Sequence, residues 1–259
     1  MQTFGWGFLL AQVWNPVQGQ YGIWPQVWGT LLTSGLALGL AVPVGVGVAL
    51  GLTESWPRFA PRWQQVLAAA VEVLAAIPSV VYGLWGIFVL IPTLRQVQKL
   101  YPQVLGEGAI GPSVGVASLV LAIMILPTVA AVARSSLRQV PPEYRMAAMA
   151  VGATRWETLL GIILPAAWAG IGAGILLALA RALGETMAVT MLIGNANRVG
   201  TSLWQAGSTI PSLLANQFAE AQGMQVAALM YAALVLLGVT VVVQIVARVG
   251  MGFFAGSHQ

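Results

Sequence analysis

Residues 140–194, VPPEYRMAAMAVGATRWETLLGIILPAAWAGIGAGILLALARALGETMAVTMLIG, divide into a polar, arginine-bearing part and a long apolar part. Apolar spans lie on both sides of the polar part, so it reads as a loop between two membrane crossings. Its composition is too ordered for a slack linker. Ala147, Ala148 and Ala150 favour helix, and Gly152 breaks it or lets a partner approach closely. Trp156 and residues 159–163 restart a helix up to Pro165. The pattern predicts a helix–turn–helix with a fixed end.

The rest of the composition agrees with a membrane setting. Hydrophobic residues make up 58% of the 259 and charged residues 7%, where a soluble domain carries about 25% charge. Mean hydropathy is +0.85. A net charge of +4 would suggest nucleic acid in a soluble chain, but these basic residues stand beside apolar spans and set orientation instead. There is no cysteine and no aspartate, and His258 is the single histidine, so neither a metal site nor a Ser-His-Asp triad is expected. Lys99 is the only lysine, and no GxxxxGK[ST] motif precedes it. If ATP drives this protein, a partner binds it.

Working outward from the loop gives an all-α membrane protein with five crossings, at about 27–52, 66–91, 113–133, 166–193 and 226–247. They form one transmembrane domain over 27–250, with an external interfacial segment at 1–26 and a cytoplasmic tail at 251–259. Residues 1–25 are uncharged, their apolar run is too short to cross, and Trp14, Tyr21, Trp24 and Trp28 suit an interfacial belt. Gly35–Gly39 and Gly47–Gly51 are GxxxG pairs in the first span, and Pro78 interrupts the second. Residues 195–225 are too polar for a sixth crossing. A cytoplasmic loop at 140–165 puts Arg58, Arg62, Arg134, Arg138, Arg145, Arg155 and Arg248 inside, against Arg95, Lys99 and Arg198 outside. The excess of inside charge selects this orientation, with the N-terminus outside and the C-terminus cytoplasmic.

Arg181 and Glu185 are the sharpest chemical signal. They stand about fifteen and nineteen residues into the fourth span, which at about 1.5 Å per residue is near mid-membrane. An unpaired charge there costs roughly 2.5–3.5 kcal/mol on insertion scales. A spacing of four places both on one helix face, able to pair. On one reading Arg181 gives a passing anion a transient partner, because its fork matches an oxyanion, while Glu185 prevents permanent trapping. On the other, the two form an ion pair that fixes helix packing. Thr186, Thr190 and Ser79 are hydroxyl donors that an oxyanion could use, although threonine in a membrane helix commonly bonds its own backbone. Glu72 reads as shallow in the second span, capping or pairing with a cytoplasmic arginine rather than touching substrate, and Arg198 as a solvated loop charge rather than an attractor of an anion or a binding-protein surface.

Met146-Ala147-Ala148, three residues, Gly152, nine residues and then Ile162-Ile163-Leu164-Pro165 resembles the "EAA" loop of binding-protein-dependent ABC-transporter permeases, with Met146 in place of the glutamate. The following RALGETMAVTMLIGN, residues 181–195, resembles phosphate-transporter permease subunits of the PstC type, and the likeness extends over nearly the whole chain. It implies the MetI-like type I importer fold. The WNP segment at 14–16 resembles the stretch before the family's second crossing, so the usual first crossing is expected to be missing or to lie upstream. STIPSLLANQFAEA, residues 208–221, resembles the external segment before the last crossing.

The resemblance also implies a role and a set of partners. The role is half of the translocation pathway of an ATP-driven phosphate importer of the cell inner membrane. The partners are a PstA-like sister permease, two PstB-like ATPase subunits that bind ATP and Mg, and an external PstS-like phosphate-binding protein; this chain would bind no cofactor itself. Glu143, Arg145, Met146, Ala147, Ala148, Gly152, Ala153, Leu164 and Pro165 would dock on the ATPase, with Glu143 standing in for the missing carboxylate. Other readings are a permease for sulfate, molybdate or phosphonate, a secondary transporter working alone, and a membrane scaffold. No inverted repeat supports the second, and a buried Arg–Glu pair would be a costly ornament for the third.

Overall fold

The computed structural model describes residues 5–53, 61–102, 110–200 and 202–256. Apart from one isolated bridge between Asn15 and Gln20, the regular structure among them is helical. In chain order the helices are α1 Trp6–Leu10, α2 Trp24–Thr53, α3 Pro61–Ala76, α4 Ser79–Leu100 and α5 Val114–Gln139. Then come α6 Pro142–Ala150, α7 Arg155–Gly184, α8 Met187–Leu192, α9 Ile210–Gln217 and α10 Met224–Gly256. Five are long and apolar enough to cross a membrane: α2, α4, α5, α7 and α10.

The helix limits show where hydropathy alone was misleading. The second expected span, 66–91, is divided: α3 ends at Ala76, the chain breaks at Ile77–Pro78, and α4 runs on to Leu100. Pro78 forces the break because its ring excludes the helical hydrogen bond and biases the preceding residue towards extended backbone. The fourth span, 166–193, begins earlier and ends earlier, since α7 covers Arg155–Gly184 and a separate short helix, α8, follows.

Pro92 and Pro165 do not end their helices. In each case a π-helical stretch lies just before the proline, Gly86–Leu90 in α4 and Leu159–Ile163 in α7. Ile91 N–H reaches back to Gly86 O, and Leu164 N–H to Leu159 O, five residues rather than four. The widened turn gives the proline ring room and lets the helix continue.

The described chain forms two compact units. The first comprises Met1–Ala37, Ile77–Met124 and Ala182–Val241. Its core packs Phe8, Trp14 and Ile23 with Ile210, Leu213, Ala228, Leu229 and Ala232. Trp14 is thus drawn inside rather than into an interfacial belt. Its indole N–H donates to Gln217 Oε1 at 2.8 Å, as a buried indole requires. Thr30 stitches α2 to α9: its hydroxyl donates to Gln26 O at 2.7 Å and accepts from Ile210 N–H at 3.0 Å, a free donor of the first turn of α9. Thr209 and Ser212 close a reciprocal cap on the same turn.

The second unit comprises Leu38–Ala76, Ile125–Arg181 and Val242–Gln259. Ala49, Ala133, Leu137, Val140, Leu159, Ile163, Ala167 and Ile171 form its core. Gly170 lies directly on the Ser136 side chain and Gly174 on Val132, so α5 and α7 approach closely along a shared register. Gln244 of α10 donates to Leu176 O at 3.2 Å.

Candidate functional site

Ser79, Glu185, Thr186 and Thr190 all fall in the first unit. There α4 and α8 run side by side and in the same direction, because Gly83 abuts Ala188 and Met191 while Gly86 abuts Leu192. Each helix starts just after a backbone break, at Pro78 and at Glu185–Thr186. The shared register therefore sets Ser79 and the Glu185–Thr186 pair at the same end of the two helices. Broken helices inside a membrane protein persist only where protein or a wet cavity satisfies the freed backbone.

Each side chain is occupied differently. Glu185 Oε1 accepts the Ala188 N–H at 3.4 Å, a free donor at the start of α8. Thr186 donates to Gly184 O at 3.2 Å and Thr190 to Thr186 O at 2.7 Å, the local backbone bonding that short hydroxyls favour. Ser79 is half-buried, and its hydroxyl has no hydrogen-bond partner among the described residues.

The outer end of α8 is finished by backbone pairing. Leu192 O accepts from Ser113 N at 2.7 Å, Ile193 O accepts from Gly207 N at 2.9 Å, and Asn195 Nδ2 donates to Thr190 O at 2.9 Å. Gly194 has φ +86° and Asn195 φ +53°, so the chain turns sharply on two residue types that tolerate this conformation. Arg198 stands exposed beyond this turn, as a loop charge.

Arg181 belongs to the second unit, at the end of its stretch of α7. It is exposed and makes no hydrogen bond or ion pair among the described residues. The premise that placed it on one helix face with Glu185 does not hold, because the helix ends at Gly184 and Glu185 lies in the break. Among the described residues the Arg181 guanidinium has no acceptor. Glu72 is exposed and has no hydrogen bond or ion pair among the described residues. Arg58 lies outside those residues.

The 140–165 loop, wholly in the second unit, folds as a helix, a turn and a second helix. α6 stops at Ala150, and Gly152 turns the chain with φ +91°. A side chain at Gly152 would meet nothing within 4 Å, so glycine serves the backbone angle and not a close internal contact. Ala153 N–H closes the turn on Ala148 O at 3.1 Å. Thr154 then caps α7, its side chain and that of Glu157 exchanging bonds with each other's backbone N–H.

Within the loop the predicted docking residues separate into two groups. Ala148 is 4% exposed and packs inward. Glu143, Met146, Ala147, Gly152 and Pro165 are exposed, while Arg145, Ala153 and Leu164 are half-buried. The sequence reading missed the apolar side chains that continue the exposed surface: Tyr144, Met149, Val151 and Trp156, with Val151 86% exposed. Their clustering on both sides of Gly152 was the available signal. A cleft of about 330 Å³ beside them is lined by Ser136, Gln139, Tyr144 and Gly170 among others. Exposed apolar side chains on a polar loop have the chemistry of a contact surface.

Comparison with known proteins is consistent with this arrangement. Residues 41–251 match the family described as binding-protein-dependent transport system inner membrane component. The phosphate transport system permease protein PstC of Haemophilus influenzae is 41% identical, the alignment covering 96% of this chain and 81% of that protein. The PstC of Pasteurella multocida is 43% identical over 95% of this chain and 79% of its own length. Among solved structures, an inward-facing MetNI methionine ABC transporter chain superposes with a TM-score of 0.66 at 17% identity. That superposition covers 95% of this chain and all of the other. A bacterial ABC transporter that imports alginate superposes with a TM-score of 0.61, at 18% identity and over 86% of this chain and 78% of its own. These two likenesses show the fold.

Proposed function

The chain belongs to the binding-protein-dependent transport system inner membrane components, and within them to the PstC phosphate transport permeases; from that premise we propose how its residues carry phosphate. It is a multi-pass inner-membrane permease subunit of an ABC phosphate importer, not an enzyme.

Arg181 is the residue on which the proposal rests. A guanidinium with no partner among the described residues on a membrane-crossing helix is a costly feature, and a phosphate dianion supplies acceptors for it. Arg181 and the Ser79 hydroxyl, which has no partner among the described residues, contact phosphate in transit, each at its own point on the route. Glu185 holds the start of α8 through Ala188 and so keeps the chain break open. Thr186 and Thr190 donate to backbone carbonyls here, so either would have to rotate to serve the anion.

The exposed side chains of the loop, among them Glu143, Tyr144, Met146, Ala147, Met149 and Trp156, dock on an ATPase subunit that binds ATP and Mg. Met146 supplies no charge, so shape and apolar contact carry the coupling, with Glu143 as the nearby carboxylate. A PstA-like sister permease completes the pathway, two PstB-like ATPases drive it, and a PstS-like protein delivers phosphate from outside. The loop face is cytoplasmic and the Arg198 turn external.

Labelled-phosphate uptake in cells lacking only this chain tests the assignment, with sulfate, molybdate and phosphonate as competitors. Restoration of uptake by the chain, competed by unlabelled phosphate alone, supports it. Restored uptake of another of these anions in place of phosphate overturns it.

A further inference from the structure

We infer that Arg134 and Arg138 hold a phosphate group at the loop end of α5, at a site separate from Arg181. Arg134 is half-buried, and its Nε–H is closed off from solvent with no acceptor among the described residues. Buried donors are nearly always met, so one left over points to a bound group. A guanidinium cannot relieve the cost by losing its proton. Charge placed only to orient the chain would leave both guanidinia in water, as Arg138 is and the Arg134 Nε is not.

Arg138 stands one turn further on, on the same face of α5, with no hydrogen bond or ion pair among the described residues. Two cations at this spacing repel each other until an anion lies between them. No described carboxylate supplies it. Glu157 is taken up by Thr154, Glu185 and Glu220 belong to the other unit, and Glu72 and Glu143 bond to neither arginine. Ser136 and Val132, two residues to either side of Arg134, meet Gly170 and Gly174 of α7. At about 100° per residue, Arg134 points to the opposite side of α5, away from that seam and from the cleft that Ser136 lines.

Depth on the helix agrees with such a ligand. Arg134 follows Val114, the first residue of this membrane-crossing helix, by about 30 Å at 1.5 Å per residue, the thickness of a hydrocarbon core. The two guanidinia therefore stand where α5 leaves the apolar layer. A tetrahedral oxyanion has acceptors enough for both, one oxygen taking the enclosed Nε–H while others face Arg138 and water. Two groups of this chemistry reach that level: the head group of an anionic phospholipid, which basic pockets beside crossing helices can hold, and inorganic phosphate.

The test uses the assembled transporter in lipid nanodiscs, with two probes. In nanodiscs of mixed phosphatidylglycerol and phosphatidylcholine, the phosphatidylglycerol retained through detergent extraction is counted by native mass spectrometry. In nanodiscs of phosphatidylcholine alone, binding of labelled inorganic phosphate is titrated. Each arm compares variants with the unsubstituted transporter, so phosphate held elsewhere cancels. The double substitution Arg134→Gln, Arg138→Gln is expected to weaken binding about tenfold or more in at least one arm, the loss of charge-assisted hydrogen bonds. The arm that responds names the source, and a response in both means that the two share the site. Arg134→Lys, which keeps the charge but loses the Nε–H, should weaken the same arm by less. Where substitution at Arg134 impairs assembly, Arg138→Gln alone, at an exposed position, should still weaken binding about threefold. No change in either arm, with the double variant in an assembled transporter or with Arg138→Gln alone, would overturn the inference.

Discussion

Gly83 of α4 rests directly on Ala188 of α8: a methyl group at Gly83 would stand 3.5 Å from Ala188 Cα and 2.6 Å from Met191 Sδ. The second contact is with the end of a flexible side chain and the first is ordinary van der Waals distance. Gly83→Ala is therefore expected to be tolerated by a shift of Met191. Gly83→Leu should overpack the two helices by about 1–3 kcal/mol. Thermal unfolding in detergent measures both, and equal stability of the two variants would contradict the packing described here.

Gly29 offers a harder case. A methyl group there would collide with the carbonyl oxygen of Ser208, which is backbone and cannot rotate away. Gly29→Ala should cost at the upper end of about 1–3 kcal/mol and lower the folded yield. It is expected to be worse than Gly83→Ala despite the identical chemical change, and a comparison of melting temperatures decides it.

Thr30→Val tests the link between α2 and α9. Valine fills the same space but removes the acceptor for the buried Ile210 N–H. Leaving that donor unmet should cost about 1–3 kcal/mol. Hydrogen exchange at Ile210, read by mass spectrometry, should rise; unchanged protection would show that another acceptor takes over.

Gly152→Val should uncouple transport without removing the chain from the membrane. The position needs φ +91°, which a β-branched residue adopts only under strain, yet the side chain itself would meet open space. The expected result is normal chain abundance with weakened ATPase co-purification and lost phosphate uptake. Loss of the chain itself would mean that the turn matters for folding rather than for docking.

Much of this was legible in the sequence, for physical reasons that also mark where it stopped. The 140–165 loop could be read because alanine runs, Gly152 and flanking apolar spans are local signals. Arg181 stood out because a charge in an apolar run has few explanations. The end of α7 at Gly184 was not read, since hydropathy continues unbroken through Met187–Leu192 although the backbone does not. Pro92 and Pro165 read as boundaries, yet a π-helical turn ahead of each absorbs the missing hydrogen bond. No pattern in the residues announces such a turn. Residues 92–100 read as loop because they are polar, whereas α4 continues through them and Arg95 Nε donates to Ile110 O. Trp14 matched an interfacial belt by type, but its burial depends on Gln217, 203 residues away.

The most direct test of the central claim is phosphate uptake by transporters carrying Arg181→Ala and Arg181→Lys, with chain abundance and ATPase co-purification measured alongside. The account predicts that Arg181→Ala assembles normally and loses uptake by at least tenfold, while Arg181→Lys, a point charge without the fork, recovers only part of it. Full uptake with Arg181→Ala in a normally assembled transporter would contradict the account, for it would show that phosphate passes without needing this guanidinium.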